Sequence, residues 1–397
     1  MEKEEKTNKI LKIVRNIVII VAVIVLIVLD SFSLNLYLSL SNKVDKINDK
    51  VNELTDPVTP SQNMPDKNPS SGDTNKGEVK NIILLIGDGM GFNHLETAKS
   101  YFKTESLAME SMSAAKCTTY SLDNLVTDSA AAATALATGY KTANGYVAQR
   151  ESTVLKSIMR YSAERGKKTG IISTDDPYGA TPAAFSSHSS SRNNYDSLLT
   201  RQFSSDIDLI LGGVWNEDLC TARKDEITGR GYTYVTDAAS LNAASDAAKI
   251  YGVLPDLHSE YIGDSHIPLK DAATFALNFL ADDKDGFTLM IEGARIDKYS
   301  HNNDMQGMVD ELKDFDETVA ACLAWASERE DTAVIVTADH ETGGITLGDN
   351  GEYAFTTKNH TGQPVPLFAY NVSFEKKLYD NTGVFDMCFS LVVHGAF

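Results

Sequence analysis

From Lys80 onward, apolar residues gather in short unbroken runs, separated by longer stretches in which they recur at helical spacing. The runs are NIILLI (81–86), TGIIS (169–173), DLIL (208–211), FTLMI (287–291), AVIV (333–336) and PLFAY (366–370). A strand with one wet face alternates apolar and polar residues, whereas an unbroken β-branched run fits a strand covered on both faces. The pattern predicts an α/β domain with a mostly parallel central sheet flanked by helices on both faces. Helical spacing predicts helices over 95–110, 129–138, 152–165, 271–281 and 305–328.

Ahead of this domain the pattern changes. Residues 1–15 carry Lys3, Lys6, Lys9, Lys12 and Arg15, and an uncharged apolar stretch follows from Asn16 to Leu29. That stretch has the length of a signal-peptide core, but no small-residue cleavage site follows, and uncharged residues continue past Asp30. The expectation is an uncleaved signal anchor over 16–38, a transmembrane helix with a cytoplasmic basic tail (1–15) and the folded part on the extracellular side. Secretion after cleavage is the alternative. Leu40, Val44, Ile47, Val51 and Leu54 form a heptad seam over too few heptads to separate a coiled coil from a solvated helical stalk. The Pro, Ser and Asn content of 56–78 predicts a disordered linker. The expected organisation is therefore a stalk and linker over 39–79 and one folded domain over 80–397.

The chain has 397 residues, 42% hydrophobic and 23% charged, enough for a sizeable core. Its net charge of −19 argues against a nucleic-acid backbone as partner. An anionic substrate would need local positive charge in its site, such as metal ions. Cys117, Cys220, Cys322 and Cys388 are scattered without a C-x-x-C pair, so their spacing gives no metal or redox motif.

Candidate chemistry lies where strands of such sheets present ligands, at their carboxyl ends. Asp88 follows the first run in ILLIGDGMG. Glu292 follows the fourth, with Asp297 and His301 four residues apart beyond it, and Asp339 and His340 follow the fifth. His360 stands just ahead of the sixth. Singly, each has an ordinary reading as a turn residue or a surface helix pair. Together they place four carboxylates and three histidines at one sheet edge, a concentration of charge that cations would have to hold. Mixed histidine and carboxylate sets suit zinc, and these seven suffice for two ions. Two metals can clamp an in-line phosphoryl displacement. In LVTDSAAAATALATG, Thr127 or Asp128 can cap a helix that Gly139 stops. Ser129, at the positive end of that helix, can be part of the cap or a nucleophile, and the stretch alone leaves both open. Arg192 in HSSSRNNY offers a planar fork for phosphate.

These motifs carry a resemblance. IGDGMG, TDSAAAATALATG with KT and NG following, ATPAAF with SH and SR, EGARID with SHNND, TADHETGG and HTGQPVPLFAY resemble, in order from about Lys80 to the C-terminus, those of the alkaline phosphatase family. The resemblance implies a phosphate-monoester hydrolase acting on small phosphate monoesters in two in-line steps, with Ser129 the nucleophile that becomes phosphoserine. It implies that Arg192 binds the phosphate oxygens and that Lys298 touches phosphate through water. It implies one zinc site of Asp297, His301 and His360, and a second of Asp88, Asp339 and His340 that Ser129 joins. A magnesium site would share Asp88 and add Thr181 and Glu292; Thr181 enters only through the resemblance. Two departures stand out. Gly179 lies where many relatives have Asp or His, which predicts a looser third site and weaker magnesium dependence. Larger relatives insert a subdomain between the residues matching His340 and His360 that contributes to the dimer contact; its absence here predicts an open site and leaves a homodimer undecided. A sulfatase would need a C-x-P-x-R motif, which is missing. A sister phosphodiesterase and a catalytically silent, membrane-tethered phosphate-binding protein remain as alternatives.

Overall fold

A computed structural model describes residues 78–213, 218–257, 267–349 and 351–397. The expected basic tail, membrane anchor and nearly all of the stalk and linker lie outside the described residues. Among the described residues no helix is long and apolar enough to cross a membrane.

The unbroken apolar runs become the middle of a ten-stranded sheet. Its strands are β1 (Asn81–Gly87), β2 (Ser113–Thr118), β3 (Lys168–Ser173), β4 (Leu209–Gly212), β5 (Thr233–Val235), β6 (Ile250–Val253), β7 (Phe287–Gly293), β8 (Thr332–Thr337), β9 (Val365–Tyr370) and β10 (Leu378–Asp380). They lie in the order β10-β2-β9-β8-β1-β7-β3-β4-β6-β5. Every residue of β1, β7 and β8 is buried, as their composition demands. β1 sits between β7 and β8 and is parallel to both. β9 is the exception, antiparallel to both β8 and β2. This reversal explains how His360, ahead of its strand, reaches the edge that the other ligands reach from strand ends.

Two groups of helices cover the sheet. One contains α1 (Phe92–Phe102), α6 (Leu269–Leu280), α7 (Arg295–Asn302) and α8 (Met305–Ser327). The other contains α2 (Ser129–Thr138), α3 (Ile158–Ala163), α4 (Ala180–Ser186), α5 (Tyr195–Gln202) and α9 (Asn381–His394). Each group packs within itself, and both touch β1 and β7, so the groups cover opposite faces. All ten residues of α2 are buried, consistent with small alanines packed closely against α4 and α9. The four cysteines are buried and unpaired.

Helix boundaries differ from expectation in two places. The helix expected over 95–110 is α1, which ends where Lys103 turns left-handed; a separate 3-10 turn covers Ala108–Ser111. The helix expected over 152–165 shrinks to α3, because Thr153–Val154 pairs with Gln149–Arg150 as a small antiparallel ribbon and Ser157 caps the helix behind it. Strands β2, β5, β6 and β10 were not expected. They are short or mixed in polarity and carry no periodic signal; β2 (SAAKCT) alternates exposed and buried positions over part of its length.

Candidate active site

The turn after β1 sets the site. Gly89 has φ +74, and a Cβ there would come within 2.9 Å of the Asp297 Cα and Cβ atoms. Only glycine both adopts this conformation cheaply and lets the β1 turn close on α7. The Gly89 N–H donates to Asp339 Oδ1 (3.1 Å), so one turn brings Asp88, Asp297 and Asp339 together.

The ligand-type atoms fall into two overlapping groups. Asp88, Asp339 and His340 form one, and Asp297, His340 and His360 the other, each with its atoms within 4.8 Å of one another. His340 therefore lies between the two sets, its Nε2 3.2 Å from Asp339 Oδ2 and 3.5 Å from Asp88 Oδ1. Its ring stacks on that of His360 at 3.6 Å between centroids. His301, on α7, joins the second group: its Nε2 is 3.3 Å from Asp297 Oδ2 and 3.0 Å from His360 Nε2. The spacing of four between Asp297 and His301 puts both on one helix face.

This donor set fits cations on three observations. His301 Nδ1 bonds the Lys358 carbonyl (2.5 Å) and His360 Nδ1 bonds the Thr127 carbonyl (2.9 Å). A carbonyl accepts only, so both Nδ1 atoms carry the proton, and in the neutral rings the two Nε2 lone pairs face each other. Asp88 Oδ1 and Asp339 Oδ2 are buried with no hydrogen-bond partner among the described residues. Burial pushes the Asp339 carboxyl up to about 8 and Glu292 up to about 7, and drives Asp88 well above the usual carboxylate range, with neighbouring carboxylates adding to each. Asp297 differs: burial pushes it upward too, but the bond from His301 and the charges of His340, His301 and His360 hold it below its ordinary value. Three carboxyls that resist ionising beside one another are what a cation would ionise.

Ser129 is the first residue of α2, and its Oγ lies 3.3 Å from His340 Nε2. The N-cap is Asp128, whose Oδ1 accepts from the Ala131 N–H (3.0 Å), and Gly139 ends the helix with φ 76. Asp128 Oδ2 also accepts from the Gly145 N–H (3.1 Å) and from Arg192 Nη1 (3.1 Å), which ties the arginine to the mouth of the helix. The charges of Asp88 and Asp297 reach Arg192 as well. Glu292, in β7, accepts from the Ser173 hydroxyl, which opposes the upward push of burial, while the buried Thr181 Oγ1 has no hydrogen-bond partner among the described residues. Thr181 is on α4 and Ser173 closes β3. Lys298 forms an ion pair with Asp175.

All the residues singled out from the sequence thus converge on the expected sheet edge. Sequence reasoning missed three others. Thr342 donates to Asp297 Oδ1 (2.5 Å) and faces His340 Nδ1 (3.2 Å), linking the two groups. Asp128 read only as a cap. Asp175 lay in TDDPYG, a turn by composition; its one available signal was its place two residues beyond β3 at the ligand-bearing edge.

Comparison with known proteins points the same way. The family described as Alkaline phosphatase matches residues 79–385. The chain is 37% identical over 303 residues to alkaline phosphatase 3 of Bacillus subtilis (strain 168), covering 70% of this chain and 64% of that protein. It therefore spans somewhat less than two thirds of that relative's length. The solved alkaline phosphatase from the Antarctic bacterium TAB5 is similar with a TM-score of 0.70 at 30% identity, covering 81% of this chain and 100% of that one. A variant of that enzyme, solved with magnesium in its M3 site, gives 0.68 at 30% identity over 80% and 98%. The family match over most of the folded domain, together with the shared fold, shows that the chain belongs to the alkaline phosphatase family.

Proposed function

We propose that the chain is a metal-dependent phosphate-monoester hydrolase that works through a phosphoserine on Ser129. The observation that carries this reading is the 3.3 Å approach of Ser129 Oγ to His340 Nε2, the imidazole common to both groups of ligand-type atoms. Asp297, His301 and His360 would hold one zinc ion, and Asp88, Asp339 and His340 a second. Asp88, Thr181 and Glu292 would hold magnesium. When bound, such cations polarise phosphoryl oxygens and acidify a bound alcohol or water.

The remaining chemistry belongs to the chain. Ser129 Oγ attacks phosphorus at the positive end of α2, where the helix favours an incoming anion. The Oγ–P bond forms as the ester P–O bond breaks, and the departing alkoxide takes up a proton. Water then adds to phosphorus, the Oγ–P bond breaks, and inorganic phosphate leaves with Ser129 restored. Arg192 has five donors, of which the bond to Asp128 takes one, and the others serve the non-bridging oxygens. Lys298 adds positive charge at the same edge.

The competing reading is a phosphodiesterase. Thr181 and Glu292 favour the monoesterase, because with Asp88 they would supply a third cation site, and the buried Thr181 Oγ1 and Asp88 Oδ1 have no hydrogen-bond partner among the described residues. Turnover of 4-nitrophenyl phosphate and of bis(4-nitrophenyl) phosphate, before and after chelation, tests the proposal. Faster, metal-dependent hydrolysis of the monoester is expected; a faster diester reaction, or full activity without metal, would overturn it. For the N-terminal segment we propose a single-pass membrane anchor with the enzyme on the extracellular side, a reading that rests on the basic and apolar pattern of residues 1–38. Membrane fractionation of the full chain tests it, and a wholly soluble, shortened product would favour secretion.

A further inference from the structure

We propose that Asp175 is a positioning residue that holds the Lys298 ammonium toward the bound phosphate. Lys298 follows Asp297 on α7, and its side chain is 39% exposed. A lysine is a point charge on a flexible four-carbon stem, so one that is to meet a substrate gains from a fixed partner. Asp175 supplies it: Asp175 Oδ2 pairs with Lys298 Nζ from the loop that follows β3, the parallel neighbour of the β7 strand that leads into α7.

Asp175 is itself held. Its backbone N–H donates to Ser173 Oγ (3.1 Å), and Ser173 in turn bonds the Glu292 carboxylate. The Gly179 N–H donates to the Asp176 carbonyl (2.8 Å), closing a turn directly behind it that leads into α4 and Thr181. The Asp175 side chain is 17% exposed, and its Oδ1 is buried with no hydrogen-bond partner among the described residues. A carboxylate with one oxygen desolvated and unpaired is a costly ornament for a surface loop. The Asp175 N–H and the Glu292 carboxylate meet on the one Ser173 hydroxyl, and Lys298 is the neighbour of Asp297 on α7, so the pair stands beside the site rather than remote from it. An ordinary surface ion pair would be worth little to stability and nothing to phosphate. This one joins the loop after β3 to α7, beside the site proposed for phosphate.

The inference rests on the reading above that Lys298 meets phosphate. Its test uses the metal-loaded full chain, with inorganic phosphate as the probe. Phosphate affinity is measured by calorimetry and by competitive inhibition of 4-nitrophenyl phosphate turnover, with thermal melting alongside. Lys298→Ala should weaken phosphate binding roughly tenfold, the scale of one hydrogen bond to a charged group. Asp175→Ala should weaken it about fivefold, Asp175→Glu should recover most of that loss, and the melting temperature should barely move. The double variant should bind phosphate as weakly as Lys298→Ala alone, because Asp175 acts only through the lysine. Unchanged phosphate affinity in Asp175→Ala would overturn the proposal. So would losses that multiply in the double variant, or a large fall in melting temperature that accounts for the loss. Unchanged affinity in Lys298→Ala would overturn it too, while abolished turnover in Ser129→Ala would leave the phosphatase reading standing.

Discussion

Asp128 joins the serine to the arginine. Its carboxylate accepts from the Ala131 and Gly145 N–H groups and from Arg192, so one side chain caps α2, ties down the following loop and aims a cation. The helix-capping and chemical readings of the Asp128-Ser129 pair are therefore not rivals: capping leaves Ser129 as the first helical residue, beside His340. Replacing Asp128 by Ala removes a cap worth ~1 kcal/mol and frees Arg192. The expected outcome is a melting temperature lower by a few degrees and a KM for monoester raised roughly tenfold, the scale of a charge-assisted hydrogen bond. Steady-state kinetics and thermal melts check both; an unchanged KM would mean that Arg192 finds its place without Asp128. Most of these residues were legible in the sequence because carboxylates and histidines at strand ends form a recognisable set. Asp175 and Thr342 were not, because a turn aspartate and a threonine gain their meaning only from what the fold brings opposite them.

Elements turn this chemistry into geometry, and the turn joining β1 to α1 is the least replaceable of them. Gly89→Ala must accommodate a Cβ at positive φ against the α7 backbone, a strain of about 1–3 kcal/mol. Because relief requires moving Asp88 or Asp297, the variant is expected to hold less metal per chain as well as to melt earlier. Metal analysis beside calorimetry checks this, and full metal content with lowered stability would confine the glycine to a folding role. The central strands were legible because burial on both faces leaves an unbroken apolar run. The direction of β9 was not, since PLFAY reads alike in parallel and antiparallel neighbours. The ribbon ahead of α3 also escaped, because ESTVLKSI has apolar spacing that serves a helix, while the pairing of Thr153–Val154 with Gln149–Arg150 is decided by chain reversal.

At the scale of the whole molecule, a strongly acidic chain gathers carboxyls at one sheet edge and so links stability to metal and to pH. In the metal-free fold, Asp339 is pushed up to about 8 and Glu292 up to about 7, with Asp88 raised too. The unfolded chain would release the same protons near pH 4. Buried His340 and His94, held below their ordinary values, oppose this below about pH 6.5, so it is between about pH 6.5 and 8 that the metal-free fold holds more protons at these groups than the unfolded chain, and its stability falls as pH rises through that window. Chelated protein should melt at progressively lower temperature from about pH 6.5 to 8, whereas the metal-loaded form, with its carboxyls already ionised, should not follow that decline. Parallel melts across this range check it, and identical curves would mean that these carboxyls do not bind the metal. A phosphate carried on Ser129 can be observed directly. Metal-loaded protein turning over a phosphate monoester is quenched in acid, digested and weighed by mass spectrometry beside the Ser129→Ala variant. One phosphate per chain is expected on the peptide containing Ser129, with no phosphate and no turnover in the variant; sustained turnover in Ser129→Ala, or phosphate on a different residue, would rule out the phosphoserine.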